Sequence, residues 1–411
     1  IFELKYSGSN AGTGVGLFYE GGTGANIVNG TNVKLTDTVG TTAGLIGVYT
    51  AGGGKLTNNA KITGDKGYGI ISNGAEVENT GNITLINPLT SSKPSVGILT
   101  QAGNKITNTG TVTVGNNSVG IFGKEIVQKG IVSVGNGGTG LYSEGGNVTL
   151  DSTSKINTGS NKAVGVFTKG AGQTITANAG STMTIGDSSF GFLNEGKGNT
   201  INSNVANQTL GTDGTYIYSS DKSGTVNNNT TLTSTGSYNY GLYSAGTVTN
   251  NADINFGNGL GNVGIYSTYG GRATNLAGRN ITVGASYKDP TDPLKDRYAV
   301  GMAAGFNGDG NPAKAYTGNI VNEGTINVNG KYSIGMYGTE AGTKVYNGTS
   351  KGSAATINLG ASNTTGMYLD NGAYGYNYGT IKSVGSGLNK VVGVVVKNGS
   401  TIENHGKIEI T

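Results

Sequence analysis

The residues that could do chemistry are few, and most sit in one stretch. Three carboxylates, Asp289, Asp292 and Asp296, lie close together in the chain. Such a group could hold calcium weakly, but it lacks the ligand spacing of a dedicated calcium loop. Gly308-Asp309-Gly310 resembles a fragment of such a loop and has no ligand series after it. Glu76-Val77-Glu78 places two carboxylates on one strand face, which is the pattern of a solvated face. Glycoside hydrolysis needs paired carboxylates about 5 to 9.5 Å apart, and the remaining acids, such as Glu20, Asp151, Glu195, Asp253 and Glu323, are scattered. His405 is the one histidine and there is no cysteine, which leaves no partner for a His-based triad or a zinc site. The expectation is therefore a protein that is not an enzyme, with no catalytic residue, no metal and no cofactor.

Composition narrows the class of chain that carries these residues. Of 411 residues, 77 are glycine and five are proline. Glycine has no three-residue period, which excludes collagen, and Ile, Val, Leu, Tyr and Phe recur in strand-like bursts, which argues against disorder. The net charge of +4 includes only three arginines, Arg272, Arg279 and Arg297. No Lys/Arg cluster could track a phosphate backbone, so nucleic acid is not an expected partner. No apolar run is long enough to cross a membrane as a helix, and no signal peptide is present at Ile1.

A repeat remains. Its first motif is apolar, glycine, apolar, then usually Tyr or Phe, as in Val119-Gly120-Ile121-Phe122 and Ile334-Gly335-Met336-Tyr337. The central positions are Gly16, Gly47, Gly69, Gly97, Gly120, Gly140, Gly165, Gly191, Tyr216, Gly241, Gly264, Gly301, Gly335, Gly366 and Gly393, spaced 20 to 37 residues apart. Between them recurs Asn-x-Gly-x-β-branched-x-apolar, as in Asn108-Thr109-Gly110-Thr111-Val112-Thr113-Val114. Each period thus holds two or three short strands separated by Gly/Asn turns. Strands this short gain stability only by stacking coil on coil, about 4.8 Å apart. The spacing predicts an all-β, right-handed parallel β-helix of about fifteen coils, as a single segment over residues 1–411.

Simple alternation puts Val119 and Ile121 in the core and Gly120 and Phe122 outside. Phe18, Tyr49, Phe122, Tyr142, Phe167, Tyr218, Tyr243, Tyr266, Tyr337 and Tyr368 then form an outward aromatic stripe. It is either a shield for the ladder or a platform for sugars or a partner protein. The motif asparagines Asn58, Asn79, Asn108, Asn178, Asn228, Asn250, Asn275, Asn322, Asn377 and Asn404 should stack as an amide ladder.

Binding chemistry on a solenoid is expected where the repeat is interrupted. The two longest intervals carry insertions at 285–298 and 304–317, expected to emerge side by side. Tyr287, Lys288, Asp289, Asp292, Lys295, Asp296, Arg297 and Tyr298 from the first, with Phe306, Asp309 and Tyr316 from the second, make a candidate recognition patch. Removal of 286–297 should leave the fold intact, because loop length costs little entropy.

Ser118-Val119-Gly120-Ile121-Phe122 and Asn108-Thr109-Gly110-Thr111-Val112-Thr113-Val114 resemble the repeats of passenger domains of large Gram-negative, fusobacterial-type autotransporter adhesins, and the likeness runs along the whole chain. The resemblance implies type V secretion and a monomeric passenger outside the membrane, on the bacterial cell surface. A C-terminal outer-membrane barrel, not included in this stretch, would tether it. It implies attachment to a host-cell receptor or glycan, or to other bacteria. A passive spacer holding a distal tip, and a polysaccharide-active β-helix enzyme, are the competing readings.

Overall fold

The computed structural model describes residues 1–7, 12–21, 25–27, 30–37, 44–306 and 316–411. The chain forms two compact units, Ile1–Gly196 and Lys197–Thr411. Each is built from three parallel sheets whose strands come from successive coils. In the first unit a central sheet runs from Val15–Glu20 to Phe190–Asn194, flanked by sheets running from Ala25–Ile27 to Thr174–Ala177 and from Phe2–Tyr6 to Thr182–Thr184. In the second unit the central sheet runs from Thr215–Ser219 to Val392–Val396, with flanking sheets from Thr200–Ser203 to Thr401–Asn404 and from Asn207–Leu210 to Lys407–Glu409. Pairing is parallel and joins each strand to its counterpart one coil away, as in Val119–Gly123 on Thr139–Ser143. The architecture is a right-handed parallel β-helix. All fifteen central positions named above lie in central-sheet strands.

Facing differs from simple alternation at each central glycine. Val96 pairs Val119, Ile98 pairs Ile121 and Leu99 pairs Phe122, while the glycine between is passed over. Both strands pass over one residue, so register is kept, and this shared bulge-like kink resets the alternation. Ile121 is fully buried and Phe122 half-exposed as expected, but Val119 is only half-buried, on the same outer face as Phe122. Gly120 points inward: a Cβ there would lie 2.6 Å from Val132 Cγ1 and 2.6 Å from the carbonyl oxygen of Gly140. Glycine is therefore required by a core methyl on one side and by the neighbouring coil's backbone on the other. Tyr216 confirms the direction. It takes the glycine's place, is fully buried, and its hydroxyl lies 2.7 Å from Ser203 Oγ.

The amide ladder forms in both units. Asn58 donates to Asn79 at 2.7 Å, Asn79 to Asn108 at 2.8 Å, and Asn108 to Gln128 at 3.0 Å. There it stops, because Leu150 and then Ala177 hold the next places. Asn178 falls one residue beyond the ladder position and is not a rung. In the second unit six bonds of 2.7–3.0 Å link Asn228, Asn250, Asn275, Asn322, Asn347, Asn377 and Asn404. Asn347 is a rung that its local phrase, Asn347-Gly348, does not announce.

The two insertions do not emerge side by side. One joins Asn280–Ala285 to Val300–Ala304, and the other follows Val300–Ala304 and leads to Asn319–Asn322. They interrupt different corners of the coil and so leave opposite ends of the same strand, roughly 16 Å apart at a five-residue rise.

Candidate functional site

The outer face of the central sheet carries two columns, because the bulge turns both the residue before each glycine and the aromatic two places after it to the outside. In the second unit the first column includes Val263, Val300, Ile334 and Thr365, which pair in register. Tyr240, Tyr266, Tyr337 and Tyr368 pack against the apolar members. Rings pack along the second column: Tyr218 tilted against Tyr243 at 4.9 Å, Tyr243 edge-to-face with Tyr266 at 4.7 Å and Tyr337 tilted against Tyr368 at 5.9 Å between centres. In the first unit Phe122, Tyr142 and Phe167 do the same at 4.7 Å. The second-unit column breaks at Ala303, which stands between Tyr266 and Tyr337, and gives way to Val395 after Tyr368.

The insertion 285–298 folds over this face as a tied loop. Tyr287 and Arg297 form an antiparallel bridge with N–H···O distances of 2.8 and 2.9 Å. Asp289 Oδ1 accepts from the Thr291 and Asp292 amides, each at 2.9 Å, and from the Thr291 hydroxyl. Asp292 caps a short 3-10 turn, Pro293–Lys295, by accepting from the Leu294 amide, and pairs with Lys295. Asp296 accepts from the Asp289 amide and pairs with Lys288, whose ammonium also donates to the Tyr298 hydroxyl at 3.0 Å. The three carboxylates suggested for weak calcium binding are thus taken up by the loop's own donors. Among the described residues no three His, Asp or Glu side chains group as a metal site.

These contacts shift the loop's titrations. The amide of Thr291, then its hydroxyl, holds Asp289 below the usual carboxylate range, and the Lys288 hydrogen bond does the same for Asp296. The bond to Asp296 pushes Lys288 up, and the charge of Asp289 pushes Tyr287 up. For the depressed carboxylates, the contribution to loop order is complete above the unfolded value, about 3.9, and goes as pH falls through the lower folded values. Amide chemical shifts of Thr291 and Asp292 should stay constant down to about pH 5 and move toward disordered values only once the pH has fallen below the ordinary aspartate value, about 3.9. Movement already near pH 6 would assign the loop's order to other groups.

Loop and columns together enclose a groove of about 480 Å3. It is lined by Lys288 and Tyr298 of the loop, by Tyr332 and Asn363 of the turns, by Val300, Ile334 and Thr365 of the first column with Tyr337 and Tyr368 packed beside them, and by Asp370 at the end of its strand. Tyr298 and Tyr332 are each 43% exposed. The Lys288 ammonium sits 4.9 Å from the Tyr298 ring centre and 6.0 Å from that of Tyr332. Ser286 fastens the loop: its hydroxyl donates to Tyr332 O and accepts from the Ala299 amide, both at 2.8 Å.

The structure divides the remaining predicted residues. Tyr287, Asp289, Lys295 and Arg297 line a second concavity with Tyr238 and the fully exposed Leu294, where Arg297 lies over the Tyr238 ring. Phe306 and Tyr316 close the base of the other insertion against each other, 6.0 Å between ring centres, and Tyr269 joins them. Asp309 lies outside the described residues. Elsewhere, Glu78 pairs with Lys55 on a solvated face, and His405 stacks on Tyr378 and contacts Glu403.

Sequence reasoning missed Tyr332, Asn363 and Asp370. Tyr332 sits in a turn before a motif rather than in one. A second aromatic ladder was also missed: Tyr346 on Tyr376 at 4.6 Å, reached through the residue just before each ladder asparagine.

The model of the BigA third pectate lyase-like domain matches residues 122–380. No curated protein matches the chain. Among solved structures, Geobacillus virus E2 ORF18 aligns at 15% identity with a TM-score of 0.16, over 94% of this chain and 56% of that one; the chain spans little more than half of that protein, and so low a score carries no argument. The match over residues 122–380 covers well over half of this β-helix, which therefore belongs to the BigA third pectate lyase-like domain family and is a bacterial surface β-helix protein.

Proposed function

We propose that this chain is an adhesin segment of an outer-membrane-tethered passenger, and that it attaches the bacterium to a host-cell glycan or protein receptor, or to other bacteria, without catalysis. The observation that carries the reading is the groove, where an internally tied loop meets exposed tyrosines on an otherwise regular coil surface. Concave sites with aromatic walls and a few polar groups are the usual form of a recognition site. Asp370 is the one carboxylate in its lining, whereas the glycosidase reaction uses two.

The test is binding of the labelled, folded chain to human cells and to partner bacteria, beside a variant with Lys288–Asp296 replaced by Asn-Gly. Ser286 is wired into the coil, so a cut beginning at 286 would damage the scaffold. The Tyr287–Arg297 bridge, by contrast, is ready for a two-residue turn. The variant should keep the thermal midpoint of the parent, since shortening a surface loop changes stability by under about 1 kcal/mol, and should lose at least tenfold in binding. Absence of binding by the intact chain to either cell type would favour a spacer.

A further inference from the structure

Tyr332 is a bulky residue in the left-handed backbone region, φ 63, where side chains other than Gly, Asn and Asp are rarely found. The fold holds it there, 43% exposed, against the groove. The same turn position is left-handed in other coils, at Ser188, Asp213, Tyr238 and Asn363, so the conformation belongs to the coil, and what marks Tyr332 is the exposed ring it brings to the groove. Resting on the adhesin reading, we infer that the groove is a subsite for an uncharged pyranose sugar.

Three features converge on that class. The volume, about 480 Å3, falls in the range of small-ligand sites, about 300–1,000 Å3. Tyr298, Tyr332, Tyr337 and Tyr368 in the lining offer rings to the C–H faces of a sugar. The polar groups suit hydroxyls rather than charge. Lys288, the one cation in the lining, is already met by Asp296. Asp370 brings a negative charge to the groove, and its Oδ1 accepts from the Asn371 amide at 2.9 Å and from Asn398 at 2.7 Å. A carboxylate has further acceptor sites and no donor, so it welcomes sugar hydroxyls and repels a uronate or sialate. Asn363 and Thr365 complete the set with groups that can donate or accept.

Saturation-transfer NMR on the intact chain tests this with methyl glycosides of galactose, glucose, mannose and N-acetylgalactosamine, against galacturonic and N-acetylneuraminic acids. Two variants run beside it, Tyr298→Ala and Tyr332→Gly. Glycine adopts the left-handed conformation freely, so Tyr332→Gly removes the ring while keeping or raising the thermal midpoint. The expected result is binding of at least one neutral glycoside, weakened at least tenfold in both variants. Preference for the acidic sugars, binding unchanged in both variants, or no sugar binding at all would overturn it. If cell attachment falls in Tyr332→Gly while no glycoside binds or competes, the sugar assignment fails and the adhesin reading stands. A glycoside that binds the groove of a chain that attaches to no cell would leave the sugar site and remove the adhesin.

Discussion

Ile121→Asp is expected to abolish cooperative folding of the coils around it in Ile1–Gly196. Ile121 is fully buried and lies in register between Ile98 and Leu141, both also fully buried. An aspartate there has no partner within the core and leaves an uncompensated buried charge, costing roughly 3–5 kcal/mol. Domain stabilities are typically about 5–15 kcal/mol, and a solenoid coil is held only by its neighbours. The loss should therefore appear first as local opening, read by hydrogen exchange at Ile98 and Leu141, and then as a large drop in thermal midpoint. Val119→Asp is the discriminating control. Simple alternation places Val119 inside with Ile121, whereas the bulge turns it outward and half-buried. It should cost under about 1 kcal/mol. Equal damage from the two substitutions would remove the bulge from the description.

The second large effect is expected from Asn250→Leu. Asn250 is fully buried, accepts from Asn228 at 2.7 Å, and donates to Asn275 at 2.8 Å and to the Ala252 carbonyl at 2.7 Å. Leucine adds apolar volume but leaves the Asn275 Oδ1 and the Ala252 carbonyl without this donor, while the Asn228 amide keeps its 3.0 Å bond to the Thr230 carbonyl. Each orphan costs about 1–3 kcal/mol, so the variant should lose roughly 2–6 kcal/mol in a denaturant melt. Asn404→Leu is the comparison, since Asn404 is exposed at the last rung and water can replace the lost bond. It should lose under about 1 kcal/mol. A mild Asn250→Leu would mean the ladder fixes register without contributing stability.

The coil positions could be read from the chain because each is enforced by repetition: a glycine at a close approach, a large apolar core residue after it, an asparagine at the turn. What local pattern could not reveal was the bulge. Period-two reading assumes an unbroken strand, and only the pairing of Val96 with Val119 around an unpaired glycine exposes the reset. The site was half legible. Lys288 and Tyr298 stood out because charge and proline interrupt the repeat, and Tyr337 and Tyr368 because they repeat. Their convergence did not, because it depends on which corner of the coil each insertion leaves. Tyr332, Asn363 and Asp370 carry no local signal: coil stacking brings Tyr332 and Asn363 together from turns 31 residues apart, and Asp370 arrives at the end of the strand that follows Asn363.

The groove draws its residues from a loop and three successive coils, Val300, Ile334 and Thr365 marking their strands. Scaffold and specificity therefore respond differently to the commonest accident of repetitive genes. Duplicating or deleting one whole coil elsewhere leaves the groove alone, because each coil meets only its neighbours. Unequal exchange inside 285–370 re-sorts which tyrosine faces which loop. Coil number can thus change without touching the groove, whose lining is set within a segment of fewer than ninety residues.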